Sequence, residues 1–265
     1  MISVLAHSVA EPLLPGMSEA RDGVVLGGGD GALYARFEDM VVAVTARGIG
    51  RMPNGVSVGV APDTLARVRA GDAARVWPGG LAAGPMEVLW DPDAPPSWSP
   101  RLADVPPDDG PAIRQRLRHP SLQQDVPAEE LRALGGAVAS RDPSLAGMLG
   151  ETFVGAGSGL TPRGDDLLAG TALALRALGR ASGWSHREVD AWVAKLLPPE
   201  LPARTTALSA SLLRLAVAGD ALEPARRLLD PAEPDPRAAM LSLLGIGRST
   251  GRSYAAAMRV VASTA

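Results

Sequence analysis

The sequence contains no cysteine, and its 26 basic side chains include a single lysine, Lys195. Without cysteine the protein can form no disulfide, thiolate nucleophile, cysteine-ligated zinc site or iron–sulfur cluster. A Schiff-base mechanism or a P-loop would have to use Lys195. The three histidines, His7, His119 and His186, are scattered and lack the spacing of metal ligands. These absences exclude several common kinds of catalytic site.

The sequence also lacks strong net charge and long apolar runs. A net charge of −3 argues against a general affinity for nucleic acid. No stretch reaches about eighteen uncharged apolar residues, so we expect no membrane span. The first ten residues have no basic segment and their apolar run ends early, so no targeting segment is expected and the cytoplasm is the simplest compartment.

The predicted secondary structure changes from strands to helices along the sequence. Strand-like segments separated by glycine-rich turns occur at residues 24–26, 32–37, 40–45, 56–60, 74–77 and 87–90. Residues 91–111 carry seven prolines, which indicates a linker or a strap over the surface. Apolar residues then recur at helical spacing. We therefore predict an α+β protein with a β-rich antiparallel domain at 1–90, the proline-rich segment at 91–111 and a mainly α-helical domain at 112–265.

The most informative segment is glycine-rich and leads into a predicted helix. Gly157, Gly159 and Gly164 surround Thr161, which is a good N-cap, and the proline after Thr161 suits the first helical position. A glycine-rich loop that runs into a helix N-terminus exposes backbone N–H groups, and such groups bind phosphate or carboxylate. The segment therefore predicts a site for a small anion.

Charged side chains follow directly in the same segment. Arg163 could add a fork of donors to a bound anion. Asp165 and Asp166 fall in the first helical turn, where one of them could hold a Mg²⁺ ion or act as a general base. The alternative is structural, because acidic residues in a first turn also stabilise the helix dipole. No cofactor is certain from these residues, and Mg²⁺ is the candidate.

Two later segments have similar chemistry. Arg204 precedes Thr205 and Thr206 at the start of an apolar helix, and Arg248 precedes Ser249 and Thr250 ahead of the final helix. The similarity of the three helix starts predicts that they lie on one rim, where together they would form an electropositive pocket for a small anionic substrate. Capping by the threonines and a helix C-cap at 245–251 are the structural alternatives.

These motifs resemble those of a known family. Residues 159–170, Gly-Leu-Thr-Pro-Arg-Gly-Asp-Asp-Leu-Leu-Ala-Gly, resemble the GLTPxGDDxLxG signature of a bacterial domain family that includes AllH, a subunit of oxamate carbamoyltransferase. Residues 205–209 and 244–251 resemble its TTxLS and LLxIGHSSG elements in the same order. The sequence departs from the pattern at Arg248, where histidine is usual, at Ser253, where an acidic residue often stands, and at Arg163, which replaces a small residue.

The resemblance implies carbamoyl transfer between carbamoyl phosphate and a small carboxylate, within a multi-subunit enzyme. Three hypotheses remain open. The first is an enzyme, or a subunit of one, that binds a small carboxylate or phosphate and transfers a carbamoyl or related acyl group, with Asp165, Asp166 and Arg248 as its chemical groups. The second is a non-catalytic ligand-binding or scaffold subunit. The third is a Mg²⁺-dependent phosphoryl-transfer or hydrolytic enzyme. We expect a homo- or hetero-oligomer.

Under the first hypothesis the anion is held by the glycine-rich loop and by side chains from all three segments. The residues predicted to bind the substrate are Gly157, Gly159, Thr161, Arg163, Gly164, Arg204, Thr205, Thr206, Ser249 and Thr250.

Overall fold

A computed structural model describes residues 1–29, 31–118 and 126–264 of the chain, so His119 lies outside the described residues. The chain divides into two compact units, Met1–Pro100 and Arg101–Ala265. The first unit is built on a sheet and the second is mostly helical, which confirms the predicted α+β class. None of the helices in the described residues has the length and apolar character that a membrane span requires.

The first unit contains one sheet, in which nine strands are described. The strands are β1 Ile2–Ala10, β2 Arg21–Gly29, β3 Ala32–Phe37, β4 Met40–Thr45, β5 Gly55–Val58, β6 Ala73–Trp77, β7 Gly80–Ala83, β8 Met86–Leu89 and β9 Ser97–Trp98. They follow the order β5-β4-β3-β2-β6-β7-β8-β1-β9, and an extra pairing of β5 with β1 closes the first eight into a ring. Closure leaves these eight strands without a free edge.

The sheet is mostly but not wholly antiparallel. Strand β1 runs parallel to β8 and β9, and β4 runs parallel to β5, whereas the other described pairings are antiparallel. The parallel pairs join strands that are separated in sequence or by a long turn, so the alternation of apolar and polar residues within a strand could not reveal them. Valine, leucine and methionine side chains from these strands fill the core of the unit.

Three short 3₁₀ turns and eleven α-helices complete the described structure. The turns are Glu11–Met17, Pro107–Asp109 and Arg180–Ser182. The helices are α1 Pro62–Leu65, α2 Gly110–Leu117, α3 Ala128–Ser140, α4 Pro143–Phe153, α5 Arg163–Leu178, α6 His186–Ala194, α7 Leu201–Arg204, α8 Ala207–Ala218, α9 Glu223–Leu229, α10 Pro236–Leu244 and α11 Thr250–Thr264. All except α1 lie in the second unit.

Helix α5 is the centre of the second unit. Every residue from Gly164 to Leu175 is buried, as expected for a helix that is covered on all sides. It packs most extensively against α11 and also against α8. A β-carbon added at Gly170 would lie 2.6 Å from the carbonyl oxygen of Tyr254, so this glycine allows α5 and α11 to approach closely. The packing brings the N-terminal ends of α5, α8 and α11 into one region.

Candidate functional site

The glycine-rich loop turns sharply before α5 begins at Arg163. Gly155, Gly157 and Gly159 all adopt positive φ angles, which explains why glycine alternates there. Pro162 occupies the N-cap position and no side chain caps the helix. The prediction that Thr161 is the N-cap is therefore wrong, because its hydroxyl is hydrogen-bonded to another segment.

The Asp165 carboxylate is an internal anchor. It is 2% exposed and accepts hydrogen bonds from the Gly155 N–H at 2.8 Å and from the Ser209 hydroxyl at 2.6 Å. The hydroxyl of Thr205 donates a third hydrogen bond to it. The charge also lies in the first turn of α5, where the helix dipole favours an anion. Asp165 therefore connects the loop, the start of α5 and the start of α8.

The neighbouring Asp166 has a different environment. It is also 2% exposed, but its Oδ2 is buried without a hydrogen-bond partner in the described residues. Burial raises the pKa of the Asp166 carboxyl well above its ordinary value of 3.8, and the Asp165 charge adds to the rise. Hydrogen bonds from the Thr250 and Thr161 hydroxyls act in the opposite direction. Asp166 therefore keeps its proton to a higher pH than an exposed aspartate does.

Hydroxyl groups join the three segments that the sequence had singled out. The hydroxyls of Thr161 and Thr250 lie 2.7 Å apart and connect the loop to α11. The Thr206 hydroxyl donates to the Leu160 carbonyl at 2.5 Å and also accepts from the Ser209 N–H, so it caps α8. The structure thus brings the three segments together, as their similar chemistry predicted.

Only part of the loop backbone remains open to a ligand. The Gly164 N–H donates to the Ala156 carbonyl at 2.8 Å, and the N–H groups of Asp165 and Asp166 both point to the Pro162 carbonyl. In the described residues the N–H groups of 157–161 make no backbone hydrogen bond, and residues 157–160 are exposed. The N–H groups that could bind an anion are therefore those of the loop at 157–161. Gly164 instead allows close packing.

Two of the three predicted arginines are already paired. Arg163 makes a two-pronged ion pair with Glu130 at 2.6 and 3.1 Å, and this hydrogen bonding raises the pKa of Arg163. Arg204 ends α7 and binds the Glu151 carboxylate, and it also donates to that residue's carbonyl at 2.5 Å. Both guanidinium groups are thus neutralised locally, which reduces the predicted electropositive character of the site.

Arg248 differs from the two paired arginines. It is exposed in the turn between α10 and α11, and it has no hydrogen bond or ion pair within the described ranges. It precedes Thr250 by two residues, which places their Cα atoms within about 7 Å of each other. Ser249, between them, offers its carbonyl to Ser253. Of the three predicted arginines, Arg248 is therefore the one without a partner in the described part of the chain.

The region offers few ligands for a metal ion. Within the described residues no three histidine, cysteine, aspartate or glutamate side chains cluster closely enough to hold one. Both oxygens of Asp165 already accept hydrogen bonds, so a cation would have to displace their donors. The unpartnered Oδ2 of Asp166 is the carboxylate oxygen left for Mg²⁺.

Several residues of this region were not predicted as part of it. Glu130 lies on α3 and Glu151 lies on α4, and no sequence pattern links either glutamate to its arginine. Tyr254 is buried, and its burial together with the charges of Asp166 and Asp165 raises its pKa well above the ordinary value. The sequence did offer a hint for Ser209, which lies four residues after Thr205, but the two do not share a helical face because Thr205 is extended and precedes α8.

The candidate site lies in a part of the chain that matches a known protein family. Residues 153–262 match the family described as oxamate carbamoyltransferase subunit AllH. The match confirms the resemblance seen in the sequence, covers all three converging segments and spans less than half of the chain. It does not reach the sheet. No curated protein and no solved structure matches the chain.

Proposed function

We propose that the chain is an enzyme, or a subunit of a multi-chain enzyme, that binds a small anionic metabolite and transfers a carbamoyl or related acyl group. The observation that carries the proposal is the buried Asp166 carboxyl, which has an unpartnered oxygen and a raised pKa beneath an exposed glycine-rich loop. Perturbed carboxyls of this kind are typical of functional sites. The match to a family of carbamoyltransferase subunits supports the choice of reaction.

In this proposal the loop and Arg248 bind the anion. Open N–H groups at 157–161 supply directed donors, and the Arg248 guanidinium supplies a charged fork. An acidic pair beside an anion would ordinarily repel it. Two features reduce this repulsion: Asp165 accepts hydrogen bonds from three donors, and the raised pKa of Asp166 lets its carboxyl keep a proton to a higher pH than an exposed aspartate does. The phosphate of carbamoyl phosphate, or the carboxylate of an acceptor, fits this set of donors.

Asp166 would act on the reaction through hydroxyl groups, since its Oδ2 is not accessible to solvent. The hydroxyls of the half-buried Thr161 and Thr250 contact each other, and both interact with the Asp166 carboxyl. When an acceptor nitrogen attacks the carbonyl carbon of carbamoyl phosphate, the bond to the phosphate oxygen breaks and that oxygen gains negative charge. A proton passed from Asp166 along the two hydroxyls would neutralise this oxygen, and the acceptor's proton would later restore Asp166.

A second candidate is a non-catalytic subunit that binds a ligand for another chain. The word subunit in the family description favours it. In that case the same loop binds the anion, but turnover needs a partner. We also propose that the protein is oligomeric, acts on a carboxylate or phosphate and works in the cytoplasm. Within the acidic pair, the Mg²⁺-dependent alternative would have to use Asp166, because both oxygens of Asp165 already accept hydrogen bonds.

The test combines binding with turnover for the full-length chain. Calorimetry with carbamoyl phosphate and with oxamate measures binding, and release of phosphate measures transfer. The Asp166→Asn variant should bind carbamoyl phosphate with little change and lose about 10²-fold in turnover, the usual effect of removing an acid–base group. Asp108→Asn is the control, because Asp108 also precedes a second aspartate but is itself exposed.

Each outcome distinguishes the candidates. Binding with turnover that depends on Asp166 supports the enzyme. Binding without turnover supports the ligand-binding subunit. Absence of binding to both compounds would contradict both, and equal turnover in Asp166→Asn and Asp108→Asn would show that Asp166 has no chemical role.

A further inference from the structure

An open cavity of about 410 Å³ lies between α3 and α11, toward the C-terminal end of α11. Its volume is within the range of small-molecule sites. The wall residues on which the argument rests are Leu131, Arg132, Gly136, Ala256, Arg259 and Val260. The cavity begins more than one helical turn beyond Thr250, so its wall is formed by different residues from those at the start of α5.

Gly136 has no packing reason to be glycine. A β-carbon added there would meet nothing within 4 Å, whereas at the neighbouring Gly135 it would lie 3.3 Å from Val260 Cγ1. Glycine inside a helix is unfavourable relative to alanine. Gly135 is accounted for by the close approach of α11, whereas Gly136 is exposed and has open space beside it where it lines the cavity.

The charged groups of the cavity are both arginines. Arg259 is half-buried, and its Nη1 is buried without a hydrogen-bond partner in the described part of the chain. Arg132 faces the same cavity from α3, where its Nε donates to the Ala128 carbonyl at 3.3 Å. A buried donor on a charged group is unfavourable when it lacks a partner. Apolar side chains, Leu131, Ala256 and Val260, make up the rest of the wall.

We propose that this cavity binds a small carboxylate that carries an apolar tail. The carboxylate would accept hydrogen bonds from the Arg259 guanidinium, with Arg132 adding charge from the opposite wall. The tail would lie against Leu131 and Val260 in the space that Gly136 leaves open. The site does not depend on carbamoyl transfer, because no residue of the α5 region takes part in it.

The test uses hexanoate and its neutral amide, hexanamide, with the full-length protein. Calorimetry and thermal unfolding should show saturable binding of hexanoate in the millimolar range or tighter, and hexanamide should bind at least about tenfold more weakly, as expected when a hydrogen bond to a charged group is lost. Equal binding of the two compounds, or no saturable binding of hexanoate, would overturn the proposal.

Two variants and their controls locate the binding. Gly136→Leu should fill the cavity, and Arg259→Gln should remove the charge, and each should weaken hexanoate binding at least about tenfold. Gly147→Leu is the control for the first, since Gly147 is also helical with open space around it, and Arg187→Gln on α6 is the control for the second. Hexanoate binding that survives both cavity variants at the control level would place the ligand elsewhere and refute the site.

Discussion

Adjacent aspartates in this protein have opposite environments although both are buried to the same extent. Asp165 accepts three hydrogen bonds, and Asp166 has an oxygen without a partner in the described residues. A sequence that reads Asp-Asp gives no means of distinguishing them, because the difference depends on Gly155, Thr205 and Ser209, which approach from other segments. The proposed division into anchor and proton donor therefore follows from the structure alone.

The first prediction contrasts the two isosteric substitutions. Asp165→Asn should lower the free energy of unfolding by about 1–3 kcal/mol, because an amide nitrogen would face groups that donate to a carboxylate. Asp166→Asn should cause no such loss at neutral pH, since it removes a carboxyl that burial makes costly to ionise. Urea unfolding of both variants checks this. Equal losses would mean that both carboxylates serve the fold alike.

The second prediction concerns pH. The pKa of Asp166 is raised in the folded protein, so the folded state binds more protons than the unfolded state, and stability from this group is lost as pH rises above the ordinary value near 3.8. The unfolding free energy of the wild type, measured relative to Asp166→Asn, should therefore decrease from about pH 4 upward. A difference between the two proteins that stays constant with pH would refute the raised pKa.

At the scale of the element, the close packing of α5 on α11 determines where the site residues meet. The third prediction is that Gly170→Ala lowers stability by about 1–3 kcal/mol, since the added carbon would approach the Tyr254 backbone at 2.6 Å. Gly147→Ala in α4, with no atom within 4 Å, should instead raise stability by about 0.5–1 kcal/mol. Thermal and urea unfolding measure both. A loss of the same size at both positions would show that helix contact is not the cause.

Local patterns predicted some elements well. Strands β3 and β4 have the bounds that the sequence indicated. Strand β1 was not recognised, since its partners β5 and β8 are distant in sequence. The convergence of the helix starts was predicted from shared chemistry. The pairing of Arg163 with Glu130 was not, because it joins helices about 30 residues apart.

For the whole molecule, the boundary between the two compact units falls inside the proline-rich segment. Ser97–Trp98 pairs with the end of β1 in the first unit. Arg101 forms an ion pair with Asp220 at 3.1 Å, and Val105 is buried, both within the second unit. The segment is therefore divided between the units, each of which uses its own part in its packing.

The fourth prediction is that residues 101–265, produced alone, keep their fold. That unit has its own core around α5, and the residues of the proposed site all lie in it. The fragment should unfold cooperatively in urea. Its circular dichroism should show the helix content that the second unit has in the full-length protein. A fragment that unfolds without a cooperative transition would show that the second unit needs the sheet in order to fold.

The central claim is that the loop before α5 and Arg248 hold a small anion. Calorimetric titration of carbamoyl phosphate into the wild type, Arg248→Ala and Arg163→Ala tests it most directly, because Arg248 is available and Arg163 is paired with Glu130. We predict that Arg248→Ala weakens binding by about 1–3 kcal/mol and that Arg163→Ala leaves it nearly unchanged. Wild-type affinity in Arg248→Ala, or no binding by the wild type, would contradict the claim.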